Sequence, residues 1–483
     1  MTQAVAPLAY DRASLTPGIV HIGLGNFHRA HMAVYMDDLF ALGEGHDWAI
    51  LGAGVRATDA VMREVLKAQG CLSTVIELDP VGKRARRIGS MIDFLPVQDD
   101  NAALIAAMSD PAIRIVSLTV TEGGYFIDPA TGLFDPTQSE IAADAANPSH
   151  PKTAFGAILA ALQARRAAGT PPFTVMSCDN LPGNGAVTKA AVVGLARLFD
   201  LALADWVATH VAFPNGMVDR ITPATGPRER AIAADFGLAD DPVPVTCEPF
   251  RQWVLEDNFP AGRPPLEKVG VTFTPHVHAF EAMKIRILNG GHAIIAYPGG
   301  LQAIEYVHEA MADPTIRAFL DRVETEEILP IVPPVPGQDL TVYKALILDR
   351  FSNPEIADTE RRLCFDGSNR QPKFIIPSIR DNLDRGLVPH GLILSSALWC
   401  RYCFGTDEAG QKIAPNDPAW DRLTAAAARA KADPAEWLRM RDIYGDLADR
   451  PDAALAFATA LHKVWDMGAK AAMQDYLAQA QGR

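Results

Sequence analysis

Short apolar runs alternate with longer helical stretches through the first half of the chain. Runs typical of strands lie at residues 18–25, 48–55, 113–120 and 173–177, and helical stretches such as 27–42 and 153–168 separate them. Strands that alternate with helices are typical of a parallel sheet with helices on both faces. The pattern therefore predicts a doubly wound α/β domain at the N-terminal end.

The pattern changes at about residue 275. Beyond it strand-like runs are rare, and alanine-rich helical stretches dominate at residues 281–296, 417–431, 434–447 and 452–467. A proline-bearing break at residues 330–336 interrupts them. Since 483 residues are too many for a single core, we expect two domains. These are an α/β domain over residues 1–275 and a mainly α-helical domain over residues 276–483.

Composition and charge exclude several classes of partner. Hydrophobic residues make up 48% of the chain and charged residues 21%, as in ordinary soluble globular proteins. The net charge of −14 repels nucleic acid and anionic membranes, so neither is an expected partner. No apolar run reaches the roughly 18 residues of a membrane helix, and the first residues do not resemble a signal peptide. We therefore expect a cytoplasmic protein.

The six cysteines are scattered along the chain. Only Cys400 and Cys403 have a CxxC spacing, and no second pair completes a zinc site. The histidine pairs at positions 28 and 31 and at positions 276 and 278 lack a third ligand nearby. We expect reduced thiols and no bound metal.

A pair of glycines follows the first predicted strand. Gly23-x-Gly25 between a strand and a helix is the beginning of a dinucleotide-binding turn, in which glycines let a pyrophosphate approach the backbone. The third glycine of the usual G-x-G-x-x-G motif is missing, and His28 stands in its place. After the second strand the nearest acid is Asp59, a candidate for the adenosine ribose, whereas Arg56 would suit a 2′-phosphate. The residues predict a Rossmann-type domain and leave NAD and NADP both open.

The segment at residues 282–292 carries a lysine, an amide and an imidazole. On a regular helix Lys284 and His292 would lie about 80° apart and Asn289 and His292 about 60° apart, so all three can face one pocket. Aliphatic residues at positions 285, 287 and 288 disfavour the charged form of the lysine. A neutral lysine is a suitable general base near neutral pH. The alternative is a helix with one solvated lysine and a hydrogen-bonded histidine.

Six blocks along the chain resemble the mannitol dehydrogenase family, the polyol-specific long-chain dehydrogenases. The opening block, GLGNFHRAH at residues 23–31, is similar to the family signature G-x-G-x-F-x-R-A-H, which explains the missing third glycine. The other blocks follow in order across nearly the whole chain, at residues 119–125, 177–185, 213–220, 282–292 and 366–374.

The resemblance implies metal-independent hydride transfer between a nicotinamide cofactor and a secondary alcohol of an acyclic polyol. It implies that Lys284 is the general base and that amides at Asn180 and Asn289 hold the reacting oxygen. His292 and Asp219 match groups that orient the lysine and the substrate.

The resemblance also implies residues for the polyol, the proton and the cofactor. Arg362 and Arg370 match positions linked to polyol hydroxyls, although some members carry lysine at the second position, and Glu122 matches a residue associated with proton passage to solvent. Together with Asp59, the implied cofactor-binding residues are Gly23, Gly25, Asn26, Phe27 and Arg29.

Three of the acids have ordinary structural alternatives. Asp219 precedes Arg220 and would form an ion pair, and Glu122 would be an acid in a turn. Asp179 would cap the beginning of a helix.

The leading hypothesis is an NAD-dependent polyol dehydrogenase, often a monomer in this family, that interconverts mannitol and fructose or a related arabinitol or sorbitol pair. Its first rival is a fructuronate or tagaturonate reductase, because Arg362 or Arg370 can bind a carboxylate in a bidentate way. A phosphorylated hexitol and a nucleotide-binding protein without catalysis are further alternatives. The amide and carboxylate groups at positions 180, 219 and 289 favour neutral polyols, since they offer hydroxyl partners of both polarities.

Overall fold

The computed structural model describes residues 5, 7–128 and 131–479 of the 483-residue chain. The chain forms two compact units, Met1–His278 and Ala279–Arg483. Within the described residues, no helix combines the length and the apolar composition that crossing a membrane requires. All six cysteines are buried, and none is paired with another in a disulfide.

A five-stranded parallel sheet is the centre of the first unit. The strands are, in chain order, β1 Pro17–Ile22, β2 Ala49–Ala53, β3 Ser73–Asp79, β4 Gly82–Ile88, β5 Met91–Phe94, β6 Ile115–Leu118, β7 Thr174–Ser177, β8 Gly216–Asp219, β9 Val245–Cys247, β10 Gln252–Leu255 and β11 Thr272–Phe273. The main sheet has the order β5-β2-β1-β6-β7, and two smaller sheets have the orders β11-β10-β8 and β4-β3-β9. The strand order of the main sheet reverses between β1 and β6, where open α/β sheets bind ligands at the carboxyl ends of the strands.

Alternate residues of the central strands point into two separate apolar layers. Val20 and Val116 pack into the layer on one face, and Ile19 and Ile115 pack into the layer on the other. All four side chains are almost completely buried. Strands buried on both faces require a cover on each side of the sheet. The predicted doubly wound domain and its four predicted strands are therefore confirmed.

Helices connect these strands. They are α1 Asn26–Ala30, α2 Met32–Ala41, α3 Ala57–Ala68, α4 Ala102–Ser109, α5 Ser139–Ala146, α6 Ala154–Ala168, α7 Asn184–Arg197, α8 Leu201–His210 and α9 Pro227–Asp235. The stretch predicted at 153–168 is confirmed as α6, which Thr153 caps by accepting the N–H of Gly156. The helical stretch predicted at 27–42 is confirmed as α1 and α2, which are separated at His31, where φ is −115° and ψ is −91°.

From residue 277 onward the described chain is mainly helical, as predicted. Its helices are α10 Val277–Met283, α11 Gly290–Leu301, α12 Val307–Ala312, α13 Pro314–Val323, α14 Leu340–Phe351, α15 Glu360–Leu363, α16 Gly367–Phe374, α17 Ile376–Asp384, α18 His390–Cys403, α19 Trp420–Ala430, α20 Ala435–Leu438, α21 Arg441–Tyr444 and α22 Pro451–Ala478. The helical stretch predicted at 434–447 is divided into α20 and α21, because Met440 and Gly445 leave the helical conformation. The helix predicted at 452–467 continues instead to Ala478, across Gly468 with a φ of 85°.

Two π-helical turns interrupt the helices of this region, at Lys284–Asn289 and at Glu324–Ile328. The first joins α10 to α11 inside the helical stretch predicted at residues 281–296. A π-helix closes i→i+5 hydrogen bonds and is wound less tightly than an α-helix. The angle expected between Lys284 and His292 assumes a regular helix and therefore does not hold across this turn.

Candidate active site

The glycine turn follows β1 at the point where the strand order of the sheet reverses. Gly23 has a φ of 100°, and a Cβ atom there would lie 2.1 Å from the carbonyl oxygen of Thr119. A Cβ atom on Gly25 would meet nothing within 4 Å, so the outer side of the turn is open. A pyrophosphate-binding turn needs a residue whose backbone conformation only glycine adopts easily, and it needs open space beside the backbone for the phosphates.

Three predicted cofactor residues, Asn26, Phe27 and Arg29, follow the turn on α1. The Asn26 amide donates to the carbonyl oxygen of Pro223 at 3.0 Å and accepts from Arg29 at 2.8 Å. The Arg29 guanidinium is buried and also donates to the carbonyl oxygen of Val243 at 2.6 Å. Burial lowers the pKa of Arg29 to about 10. These contacts fix the helix behind the turn, whereas the half-buried Phe27 is partly accessible.

The first turn of α3, which follows β2, carries the acid predicted for the ribose. Oδ2 of Asp59 accepts the backbone N–H groups of Val55 at 3.0 Å and Arg56 at 2.9 Å. The carboxylate thus closes the first turn of α3, and Oδ1 is the atom that would accept a ribose hydroxyl. The Arg56 side chain is exposed.

The carboxyl ends of β6 and β7 bring Glu122 and Asn180 to one edge of the sheet. Both side chains are exposed. The carboxylate of Asp179 accepts the N–H groups of Val120 at 2.9 Å and Thr121 at 3.0 Å, which links the loops that carry them. The alternative of Asp179 as a helix cap is therefore wrong. Sequence reasoning missed this link, although the adjacency of Asp179 and Asn180 after a strand was a usable signal.

A second link that the sequence did not predict comes from Asn184. This fully buried amide donates to the carbonyl oxygens of Asp179 at 3.2 Å and Gly216 at 2.9 Å, and it accepts from the Gly216 N–H at 2.8 Å. It ties the loop of Asn180 to β8, and Asp219 is the last residue of that strand. Asp219 is itself buried, with 5% of its surface exposed.

The hydrogen bonds described for Arg220 go to residues other than Asp219, its neighbour in the sequence. Its guanidinium donates to Glu77 at 2.7 Å and to the carbonyl oxygens of Ala30 and Glu248 at 2.6 and 3.0 Å. The guanidinium is thus hydrogen-bonded to strand β3, to α1 and to the segment after β9.

In the helical unit, Lys284 is the first residue of the π-helical turn and is 6% exposed. Asn289 is the last residue of the same turn and is half-buried. Arg286, which lies in the same turn, donates hydrogen bonds to Ser378 and Asp381, each at 2.7 Å. Arg286 is therefore held by α17.

His292 lies one turn further, on α11. Its ring stacks on Phe351 at a centroid distance of 4.1 Å. Burial holds the pKa of His292 well below its usual value, and the charges of Arg362, Arg350 and Arg370 lower it further. The imidazole is therefore neutral at physiological pH and able both to donate and to accept a hydrogen bond.

The two arginines predicted to bind the substrate differ in their hydrogen-bond partners within the protein. The guanidinium of Arg362 binds the carboxylate of Asp358 in a bidentate way through Nε and Nη2. Arg370 donates through Nη1 to the carbonyl oxygens of Arg362 at 3.3 Å and Leu363 at 3.1 Å. In these contacts Arg362 forms an ion pair with a carboxylate, whereas Arg370 donates only to backbone carbonyl oxygens.

A buried acid behind α11 was not predicted. Glu324 begins the second π-helical turn, is fully buried, and has no hydrogen-bond partner for either carboxylate oxygen in the described part of the chain. A Cβ atom added to Gly291 would lie 2.8 Å from Oε1 of Glu324 and 3.1 Å from the Phe351 ring. Burial raises the pKa of Glu324 well above its usual value. Among residues 5, 7–128 and 131–479, no three histidine, cysteine or acidic side chains are grouped so that they could hold a metal ion.

Two family models match the chain and cover most of it. The Mannitol dehydrogenase Rossmann domain matches residues 17–268, and the Mannitol dehydrogenase C-terminal domain matches residues 276–465. The mannitol 2-dehydrogenase of Cereibacter sphaeroides is 71% identical over 478 residues, which covers 99% of this chain and 100% of that protein. The mannitol 2-dehydrogenase of Phaeosphaeria nodorum is 41% identical and covers 98% of this chain and 84% of its own.

Two solved structures have the same architecture. Pseudomonas fluorescens mannitol 2-dehydrogenase, in a ternary complex with NAD and D-mannitol, matches with a TM-score of 0.86 at 44% identity, over 97% of this chain and 96% of that one. A D-sorbitol dehydrogenase in substrate-free form matches with a TM-score of 0.88 at 36% identity, over 96% of both chains. Fold and site thus define a nucleotide-dependent polyol dehydrogenase. The chain belongs to the mannitol dehydrogenase family, and the predicted family, fold class and enzyme class are confirmed.

Proposed function

We propose that this chain oxidises D-mannitol to D-fructose with NAD as the hydride acceptor, and catalyses the reverse reduction with NADH. The observation that carries the proposal is the 71% identity with a mannitol 2-dehydrogenase over 99% of the chain. The sorbitol enzyme is a more distant relative, at 36% identity. Mannitol is therefore favoured over sorbitol and arabinitol.

The glycine turn fits the cofactor. The approach to Gly25 is open, and Gly23 holds the left-handed φ that the turn requires. Gly23, Gly25, Asn26 and Phe27 would hold the pyrophosphate end, with Arg29 supporting them from behind. Oδ1 of Asp59 would accept a hydroxyl of the adenosine ribose, which favours NAD over NADP. When bound, the nicotinamide accepts the hydride that leaves the alditol.

Lys284 supplies the base in the absence of a catalytic metal. Its Nζ, in the neutral form, takes the proton of the reacting hydroxyl, and the C–H bond electrons leave as hydride while the C=O bond forms. Asn180 and Asn289 donate N–H groups to the developing alkoxide, and loss of one such donor costs about 3–4 kcal/mol in comparable sites. His292, being neutral, orients the lysine and the substrate.

The remaining residues bind the polyol hydroxyls or pass the released proton to water. Asp219 accepts from a substrate hydroxyl, and Glu122, exposed at the sheet edge, passes the proton to water. Arg370 donates to a further hydroxyl. Arg362 contributes hydroxyl contacts while its charge is balanced by Asp358.

The ion pair between Arg362 and Asp358 also favours a neutral substrate over a uronate. A substrate carboxylate would have to compete with a carboxylate that is already bound in bidentate geometry. The fructuronate and tagaturonate alternative is therefore disfavoured. A monomeric state, a cytoplasmic location and reduced thiols stay predictions.

The test is a panel of initial rates with purified full-length protein. Mannitol, sorbitol, arabinitol, xylitol and galactitol are oxidised with NAD and with NADP in parallel, and fructose and fructuronate are reduced with NADH. We expect the highest kcat/KM with mannitol and NAD. Strong reduction of fructuronate without turnover of any alditol would reject the proposal, and preference for NADP would reject the role of Asp59.

A further inference from the structure

The helix after the glycine turn packs on β1 through a pair of histidines. His21 lies on β1 and His28 on α1, and their rings stack at a centroid distance of 3.5 Å with an interplanar angle of 19°. The two side chains are 0% and 1% exposed. His28 stands where the usual dinucleotide motif has its third glycine, which serves close packing of helix on strand. In this chain two stacked rings make that contact instead.

His21 is also hydrogen-bonded to the turn itself. Its Nε2 lies 3.0 Å from the carbonyl oxygen of Gly23 and 2.9 Å from Oγ1 of Thr119, and its Nδ1 lies 2.8 Å from Oγ of Ser117. A carbonyl oxygen only accepts, so Nε2 carries the proton and Nδ1 accepts from the Ser117 hydroxyl. The ring therefore fixes a carbonyl of the residue that has the left-handed φ.

His28 contributes a flat surface rather than hydrogen bonds. As far as the structure describes the chain, neither of its ring nitrogens has a hydrogen-bond partner. Burial holds the pKa of His28 well below its usual value, and the neighbouring His21, Arg29 and His31 act in the same direction. The ring is thus neutral and acts on His21 by stacking alone.

We propose that His21 and His28 are positioning residues for the cofactor. The stacked pair sets the distance between α1 and β1, and the hydrogen bond from His21, together with the one from the Thr119 hydroxyl, sets the direction of the Gly23 carbonyl. A bound pyrophosphate would lie against the backbone of this turn. A change in the distance between α1 and β1 or in the direction of the carbonyl therefore alters the affinity for the cofactor and leaves the alcohol chemistry largely unchanged. The inference rests on NAD binding within the proposed function and does not depend on which alditol is oxidised.

The test is a titration of full-length variants with NADH, followed by fluorescence, together with steady-state rates. His28→Leu removes the flat ring, and His21→Phe keeps a ring but removes the hydrogen bond to Gly23. We expect each change to raise the Kd for NADH by about tenfold, because His21→Phe loses one good hydrogen bond and His28→Leu loses an aromatic stacking contact of similar strength. At saturating NAD, kcat and the KM for mannitol should change by less than about threefold, since alcohol chemistry is untouched.

Two further variants separate positioning from general damage to the fold. His28→Phe keeps a flat ring and loses only ring nitrogens that have no hydrogen-bond partner among the described residues, so its Kd for NADH should stay close to wild type. Thr174→Val, in β7 of the same sheet, removes a buried hydroxyl that also lacks a partner in the described structure. It is the matched control and should leave the Kd unchanged.

An unchanged Kd for NADH in folded His28→Leu and His21→Phe proteins would overturn the proposal, and so would an equal loss in Thr174→Val. If His28→Leu does not fold, His21→Phe decides the question. Normal NADH binding by the wild type without oxidation of any alditol would reject the proposed function and leave the positioning role measurable.

Discussion

The carboxylate of Asp179 accepts the backbone N–H of Thr121 at 3.0 Å and so joins the end of β7 to the loop after β6. It also accepts from the hydroxyl of Tyr125 at 2.6 Å. Thr121 has a φ of 67°, a conformation that a β-branched residue adopts only when its surroundings enforce it. Because Glu122 and Asn180 follow directly in the two loops, one carboxylate positions both candidate groups.

Replacing Asp179 with asparagine should impair catalysis more than folding. The change turns one acceptor oxygen into a donor that faces another donor. Since a hydrogen bond to a charged group is worth about 1.5–3 kcal/mol, we expect kcat/KM for mannitol to fall by about ten- to a hundredfold. Steady-state rates and the Kd for NADH measure the effect.

Asp144 provides a matched control for Asp179. It is a buried carboxylate of the same unit that accepts the N–H groups of Lys152 at 2.7 Å and Thr153 at 3.0 Å. Asp144→Asn should lower the melting temperature without lowering kcat. A similar loss of kcat/KM in both variants would mean that Asp179 only stabilises the fold.

Lys284→Met should abolish most of the turnover while the cofactor still binds. The change removes the base but keeps an unbranched side chain at a buried position. General-base catalysis contributes typically about 10²–10⁴-fold, so we expect kcat to fall within that range. Arg286→Met, in the same π-helical turn but bound to Asp381, is the control and should affect stability more than kcat. Near-normal turnover of Lys284→Met with an unchanged pH profile would refute the assignment.

His292→Asn should lower the rate without moving its pH dependence. Burial and the three arginines keep His292 neutral because its pKa lies well below 6.5. Between about pH 6 and pH 9 its protonation state is therefore constant. We expect the profile of log kcat/KM against pH to shift downward and keep its shape. Disappearance of the acid limb in this variant would identify His292, rather than Lys284, as the titrating base.

The sequence could predict those features that depend on local patterns. Strands such as β1 and the glycine turn at Gly23 follow from residue type and short spacing. The π-helical turn at Lys284 could not be predicted, because the apolar periodicity of a helix does not reveal one extra residue per turn. The link from Asp179 to Thr121 and the stack of His21 on His28 depend on which strands become neighbours. No local pattern contains that information.

Asp358→Asn should change the charge preference of the substrate site. The variant removes the carboxylate that neutralises Arg362 and leaves a cation facing one neutral amide. We expect anionic sugar acids such as gluconate to inhibit mannitol oxidation about tenfold more strongly than in the wild type, consistent with a charged hydrogen bond. Inhibition constants at low and high salt measure this gain. An unchanged constant would show that Arg362 does not reach the substrate.

Glu324 should make the protein less stable as the pH rises. Its pKa in the folded state is raised well above the usual 4.5, because the side chain is fully buried. The folded state therefore keeps the proton to a higher pH than the unfolded state. The stabilising contribution is complete below about pH 4.5 and is lost as the pH rises toward the folded-state pKa.

Glu324→Gln keeps the shape of the protonated acid and removes this titration. We expect the free energy of unfolding of the variant, relative to wild type, to increase between pH 5 and pH 8, by up to about 1.4 kcal/mol per pH unit. Urea unfolding at several pH values measures the difference. Glu326→Gln, an exposed neighbour in the same π-helical turn, should show no such trend. A constant difference between Glu324→Gln and wild type across this range would mean that Glu324 is ionised in the folded protein and has a charged partner.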